Sequence, residues 1–127
     1  MGAGLQVLVV TSSAPLLGRL AARLAEHPEV MVVIKAGVPG AAEAWTLAGR
    51  FDAVVVDVDC GAPGGMEEVG PLRRAVGAAA LVALTLDESP ELRWRCLELG
   101  ADAVLSKASS EARQVDAVLE AARRGGR

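Results

Sequence analysis

The feature that most constrains this chain is a series of five short apolar runs, rich in β-branched residues, that alternate with stretches of helical period. The runs are QVLVV (6–10), VMVVI (30–34), AVVVDV (53–58), ALVALT (80–85) and AVLS (103–106). The helical stretches are PLLGRLAARLAEH (15–27), GAAEAWTLAG (40–49), MEEVGPLRRAVG (66–77), PELRWRCLELG (90–100) and ARQVDAVLEAARR (112–124). Each run is too short for a helix and is continuously apolar, which is typical of strands covered on both faces. The alternation therefore predicts a (βα)5 chain with a parallel sheet between two helical layers.

Length and composition are consistent with one domain. The chain has 127 residues, of which 52% are hydrophobic, enough to fill a single core. We expect one domain over residues 1–127, with its core at about 6–124.

Charge and residue usage exclude several classes of function. The net charge is −3 and the pI is about 5.1, which gives no basic surface for nucleic acid or for a membrane. No apolar run approaches the ~20 residues that cross a bilayer. Cys60 and Cys96 lie far apart and His27 is the single histidine, so neither a zinc site nor histidine-based catalysis is expected. We expect a cytoplasmic protein with protein or small-molecule partners.

Polar residues stand where the predicted strands end. In parallel α/β sheets, ligands bind beyond the carboxyl ends of the strands. The residues at these ends are Thr11, Ser12, Asp57, Asp59, Thr85, Ser106 and Lys107. Asp57 and Asp59 are two residues apart, so a continuing strand would direct both carboxylates to one face. The pattern predicts that carboxylate, hydroxyl and ammonium groups converge on one edge of the sheet.

Two segments resemble bacterial response-regulator receiver domains, which are CheY-like. They are FDAVVVD (51–57) and ALTLDESPELRWRCLELGADAVLSK (83–107), and the resemblance runs from Val7 to about Arg124. It implies a flavodoxin-like (βα)5 three-layer sandwich with a five-stranded parallel sheet of order 2-1-3-4-5. It also implies that Asp57 is the phosphoacceptor, with Thr85 and Lys107 at the family's hydroxyl and lysine positions.

The resemblance implies a chemistry and a set of partners. A phosphoryl group would pass to Asp57 from a histidine kinase, a phosphotransfer protein or a small phosphodonor. Mg²⁺ would be held by an acidic pair after the first strand, by Asp57, and by the backbone carbonyl of Asp59. Catalysis of this kind depends on positioning and charge neutralisation. Lys107 is one of only two lysines among 13 basic residues, which favours a specific use of its compact ammonium.

The sequence departs from the family pattern at several positions around this site. Thr11 and Ser12 replace the acidic pair, Leu86 follows Thr85 where a small residue is usual, and Val104 replaces the aromatic switch residue. Ala108 stands where a proline commonly follows the lysine. Mg²⁺ prefers carboxylate oxygens, so the loss of two anions predicts weak Mg²⁺ binding, with Asp57 and Asp59 as the remaining weak candidates for ligands.

Each candidate residue has a second interpretation. Asp57 is either a phosphoacceptor or a strand-end carboxylate paired with Lys107 for structural reasons. Asp59 is either a side-chain metal ligand or a solvated loop residue that caps a turn. Thr85 is also an ordinary β-branched residue at a strand end.

Helical period places Trp94 and Leu97 on the outward side of the fourth predicted helix, opposite Leu92 and Cys96. In receiver domains this helix forms the output face with the fifth strand and fifth helix. An exposed tryptophan there is a candidate anchor for an output domain or protein, or for a second copy of the chain. With Val104 nearby in place of the aromatic residue, we expect this face to act as an interface, including in a homodimer.

These observations lead to a functional prediction. The chain is expected to be an atypical receiver domain that acts as a signalling and protein-interaction module in two-component regulation, with weak or absent Mg²⁺-dependent phosphorylation. It is not expected to be an enzyme beyond self-phosphorylation and autodephosphorylation. One alternative is a working receiver phosphorylated on Asp57. A second is a small-ligand-binding flavodoxin-like sensor, although no glycine-rich phosphate-binding pattern supports it.

Overall fold

The computed structural model describes residues 4–10, 14–36, 51–59 and 69–124. The strands are β1 (Leu5–Val10), β2 (Val30–Ala36), β3 (Ala53–Asp57), β4 (Ala80–Thr85) and β5 (Ala103–Ser106). The described helices are α1 (Ala14–Glu26), α2 (Val69–Val76), α3 (Pro90–Leu99) and α4 (Glu111–Arg124). The second predicted helix, 40–49, lies outside the described residues, so α3 and α4 are the fourth and fifth predicted helices. None of the four described helices is long and apolar enough to cross a membrane.

The strands form one parallel sheet in the order β2-β1-β3-β4-β5, as predicted. The order reverses at β1, which lies between β2 and β3. The carboxyl ends of neighbouring strands therefore meet beside a topological switch point, where open α/β sheets bind ligands.

The core consists of two apolar layers, one on each face of the sheet. Alternate strand residues such as Val7 and Val55 pack against α1 and α4, which contribute Leu20 and Val118. The other layer joins the intervening strand residues to α2 and α3, and it is formed by Leu8, Val10, Val54, Val56, Val58, Val69, Leu72, Leu81, Ala83, Cys96 and Ala101. Because both faces are covered, β3 and β4 are buried at every position rather than at every second one.

Serine hydroxyls cap the starts of α3 and α4. Ser89 caps α3, since its hydroxyl accepts a hydrogen bond from the Leu92 N–H at 3.2 Å, and Pro90 occupies the first turn. Ser110 accepts from the Arg113 N–H at 3.2 Å at the start of α4.

Arg73 joins α2 to the segment that follows α3, and the sequence did not reveal this contact. Its guanidinium on α2 donates to the carbonyl oxygens of Gly77, Ala79 and Gly100 at 2.7, 2.6 and 3.1 Å and pairs with Asp102 at 2.9 Å. Gly100 ends α3 with a φ of 119°, and a Cβ there would lie 2.5 Å from Arg73 Cγ. Glycine is therefore required at this position by both backbone conformation and close approach.

Candidate functional site

The structure brings four of the predicted site residues together at the carboxyl edge of the sheet. Asp57 is the last residue of β3, Thr85 is the last residue of β4, and Lys107 directly follows β5. Asp59 lies in the turn after β3. Parallel pairing of β3 with β4 and of β4 with β5 aligns these ends. Thr11 and Ser12 lie outside the described residues.

Lys107 joins the two carboxylates. Its Nζ lies 2.5 Å from Asp57 Oδ1 and 3.1 Å from Asp59 Oδ2. Asp57 is only 1% exposed and the side chain of Lys107 is 13% exposed. Burial alone would lower the pKa of Lys107, but the hydrogen bonds and charges of Asp57 and Asp59 outweigh it and raise that pKa. Lys107 therefore remains charged at neutral pH and pairs with both carboxylates.

Asp59 lies in an exposed turn and not in a continuing strand, so the condition for both carboxylates to leave one face of the strand is not met. β3 ends at Asp57, and the Asp59 N–H turns back to donate to Asp57 Oδ1 at 2.9 Å. The Asp59 carboxylate accepts from the Thr85 hydroxyl at 2.8 Å and from the Leu86 N–H at 2.6 Å. Burial opposes ionisation of Asp59, but these donors together with Lys107 outweigh it and lower the pKa of Asp59.

Three groups thus converge on the Asp59 carboxylate: the Thr85 hydroxyl, the Leu86 N–H and the Lys107 ammonium. We call them the donor triad. The Thr85 hydroxyl is fixed in direction, because its oxygen also accepts from the Asp87 N–H at 2.9 Å. The Leu86 side chain is 65% exposed, so it points away into solvent while its backbone serves the site.

A buried glutamine, Gln114, holds the loop that carries Lys107. Gln114 is 4% exposed, and its Nε2 donates to the carbonyl oxygens of Ser106, Lys107 and Ser109 at 3.3, 3.2 and 3.1 Å. Sequence reasoning missed this residue. The available signal was its position four residues before Val118, on the inward stripe of α4.

At this edge the described residues offer a Mg²⁺ ion the carboxylates of Asp57 and Asp59. Among them, no group of three or more His, Cys, Asp or Glu side chains is placed to hold a metal. Asp57 and Asp59 share Lys107, and both oxygens of Asp59 accept hydrogen bonds. Mg²⁺ requires about six oxygen ligands in near-octahedral geometry.

The predicted interface residues lie on and beside α3. Trp94 is 64% exposed and Leu97 is 37% exposed, whereas Val104 is partly buried against the α2 and α3 layer. Arg93 Nη1 donates to the Val104 carbonyl at 3.2 Å and so ties α3 to β5. A cleft of about 140 Å³ lies beside Val104 and is lined by Thr85, Asp87, Glu88, Arg93, Val104, Leu105 and Ser106.

Comparison with known proteins identifies the fold. No protein-family model matches the sequence, and a search of curated proteins found no match. Solved structures match over nearly the whole chain. A LuxR-family two-component response regulator from Aurantimonas sp. SI85-9A1 is 22% identical with a TM-score of 0.86, covering 98% of this chain and 89% of that chain. A CheY-like receiver domain protein from Methanospirillum hungatei JF-1 is 18% identical with a TM-score of 0.85, covering 96% of each.

A third similar structure is a response regulator from Burkholderia pseudomallei with a phosphorylated aspartic acid, calcium ion and citrate. It is 24% identical with a TM-score of 0.80, covering 94% of this chain and 69% of that chain. The chain therefore has the flavodoxin-like fold of response-regulator receiver domains, which confirms the predicted fold class.

Proposed function

We propose that this chain is a receiver-type module of two-component regulation that acts through protein contacts, with weak or absent Mg²⁺-dependent phosphorylation of Asp57. The observation that carries the proposal is the occupation of the donor triad by Asp59. Phosphoryl transfer depends on donors and cations that neutralise the transferred group. Here the nearest such groups are engaged by a carboxylate of the chain itself, so Asp57 has little help in accepting a phosphoryl group.

The contact surface of this proposal is α3 with β5 and α4. Trp94 and Leu97 offer an exposed apolar pair, and aromatic side chains are frequent anchors of interfaces. The Arg93 bond to the Val104 carbonyl supports a single fixed arrangement of α3 against β5. Val104 provides no aromatic ring that could reorient. The partner is either an output domain or protein, or a second copy of the chain.

The test compares Trp94→Ala with Asp57→Asn by analytical ultracentrifugation or partner pull-down. Loss of an aromatic anchor typically costs about 2 kcal/mol or more, roughly thirtyfold in affinity, so Trp94→Ala should weaken association. Asp57→Asn should leave association unchanged. Arg95→Ala, at an exposed position on the same helix, is the matched control. Association that survives Trp94→Ala and disappears with Asp57→Asn would contradict the proposal.

A working phosphoacceptor is the second candidate function. It is favoured by the position of Asp57, buried at the end of β3 with its carboxylate 2.5 Å from the Lys107 ammonium. An Asp57 oxygen would attack phosphorus while the bond to the phosphohistidine nitrogen of a histidine kinase or phosphotransfer protein breaks. Rapid, stoichiometric phosphorylation of the wild type that is lost in Asp57→Asn would favour this candidate over the first.

A further inference from the structure

The cleft beside Val104 has room for one ring-sized group. Its volume is about 140 Å³, close to the ~150 Å³ of an engineered cavity that holds benzene. Sites for drug-sized ligands are larger, at about 300 Å³ or more. The cleft therefore suits a single side chain from another protein molecule.

The wall and the rim of this cleft differ in chemistry. Val104 gives an apolar wall, and Arg93 is held beside it by its bond to the Val104 carbonyl. Asp87 and Glu88 also line the cleft, and because both are exposed they form its rim. Asp87 is fixed there by the Ser89 N–H, which donates to its Oδ1 at 2.9 Å, and neither acid forms an ion pair with a residue that the structure describes. A complementary group has an apolar body with a hydrogen-bond donor at its edge.

An indole meets both requirements, and one stands on the same helix. Trp94 is 64% exposed and directly follows Arg93, but it does not line the cleft of its own chain. An indole from another molecule would place its six-membered ring against Val104 and donate its N–H to a carboxylate of the rim. The Arg93 guanidinium would add a cation–π contact with the ring. The chain thus carries a ring and a matching cleft side by side.

We propose that the cleft receives Trp94 of a second copy of this chain, in a two-fold dimer in which each copy both inserts a ring and accepts one. In a two-fold contact the same patch serves on both sides, so a ring beside a cleft is satisfied twice. Leu97, four residues after Arg93 and 37% exposed, extends the apolar contact along α3. This inference rests on the proposed function and names the partner that it leaves open.

Analytical ultracentrifugation of the full chain over a range of concentrations tests for the dimer. We expect the wild type to dimerise as its concentration rises. Trp94→Ala removes both rings and should weaken the dimer at least about thirtyfold, the typical effect of losing an aromatic anchor. Val104→Phe places a ring in each cleft and should weaken the dimer to a similar extent. Arg95→Ala, at an exposed position on the same helix, should dimerise as the wild type does.

A mixture of the two variants tests the insertion itself. Trp94→Ala keeps its cleft and Val104→Phe keeps its indole, so the mixture restores one of the two insertions. The chain has two tryptophans, Trp45 and Trp94, and fluorine NMR of Val104→Phe labelled with 5-fluorotryptophan shows a resonance for each. The Trp94 resonance should shift when unlabelled Trp94→Ala is added. It should stay unchanged when the unlabelled double variant Trp94→Ala/Val104→Phe is added.

The inference is overturned if the wild type stays monomeric at millimolar concentration, if Trp94→Ala dimerises with wild-type affinity, or if mixing gives no shift. Should Val104→Phe fail to fold, Val104→Leu narrows the same cleft and decides on the same criteria. A monomeric wild type whose capture of another protein is lost in Trp94→Ala would overturn this inference and leave the proposed function standing. Dimerisation that disappears in Asp57→Asn, while mixing still shifts the Trp94 resonance, would contradict the proposed function alone.

Discussion

Replacement of Lys107 by methionine tests the electrostatic core of the site. Methionine keeps most of the apolar stem of lysine and removes the charge. The point-charge attraction at an effective dielectric of about 20 is about 7 kcal/mol for Asp57 at 2.5 Å and about 5 kcal/mol for Asp59 at 3.1 Å. Desolvation cancels most of this attraction in the wild type. In Lys107→Met, Asp57 stays 1% exposed in the wild-type geometry and loses this counter-charge.

Removing one partner of a buried pair costs about 3–5 kcal/mol, and the partial exposure of Asp59 points to the lower end. We expect Lys107→Met to lower the free energy of unfolding by about 3 kcal/mol. With a urea m-value of about 2 kcal/mol/M, the midpoint should fall by about 1.5 M. Urea unfolding followed by circular dichroism and by tryptophan fluorescence measures this shift.

A double-mutant cycle isolates the cause. Asp57→Asn alone removes a charge beside Asp59 and should change the free energy of unfolding by less than about 1 kcal/mol. In the Lys107→Met background the same change removes the buried charge that lost its partner, so it should raise the free energy of unfolding by about 2 kcal/mol. Arg23→Met, which breaks an exposed pair with Glu111, should cost no more than about 1 kcal/mol. A loss below about 1 kcal/mol in Lys107→Met, or no rescue by Asp57→Asn, would show that the ion pairs of Lys107 do not stabilise the fold.

The same ion pairs predict an alkaline loss of stability. The folded pKa of Lys107 is raised above its ordinary value, so its stabilising charge is fully present below about pH 10.4. That contribution is lost as pH rises through the raised folded pKa. Unfolding free energies measured from pH 8 upward should fall less steeply in Lys107→Met than in the wild type.

Three further predictions concern backbone, loop and metal. Gly18 lies within α1 with open space where a Cβ would be, so Gly18→Ala should raise the free energy of unfolding by up to about 1 kcal/mol. Gly100→Ala should lower it by about 2 kcal/mol or more, and urea unfolding measures both changes. Gln114→Ala removes three hydrogen bonds and should cost about 1–3 kcal/mol while speeding amide exchange in the Lys107 loop; unchanged exchange there would refute its positioning role. Thr11→Asp combined with Ser12→Asp should raise Mg²⁺ affinity in a tryptophan fluorescence titration, because added carboxylates supply hard oxygen ligands. No gain would mean that the lost anions do not limit binding.

The fold was predictable because its signals are local and repeated. Continuously apolar runs indicated two-sided burial, and both core layers confirm it. Ser89 and Ser110 are of the residue type that favours N-caps, and each accepts a hydrogen bond from a first-turn N–H. The contacts of Arg73 with Gly100 and Asp102 were not predictable, since that segment approaches α2 only in the folded chain.

The convergence of Asp57, Thr85 and Lys107 on one edge of the sheet was predictable, and the hydrogen bonding around them was not. Strand ends placed Asp57, Thr85 and Lys107 on one edge, and parallel pairing fixes their proximity. The position of Asp59 depends on a turn in which its own N–H bonds to Asp57, and a strand pattern does not encode such a turn. The part played by Leu86 comes from its backbone, which residue type does not reveal.

We expect Asp57 to react poorly with phosphodonors, because Asp59 occupies the donor triad. The most direct measurement is intact mass after incubation with phosphoramidate and Mg²⁺, with Asp57→Asn as the negative control and a conventional receiver domain as the positive control. We predict that the wild-type chain stays largely unmodified under conditions that phosphorylate the positive control. A stoichiometric gain of one phosphoryl group in the wild type, absent from Asp57→Asn, would contradict the claim.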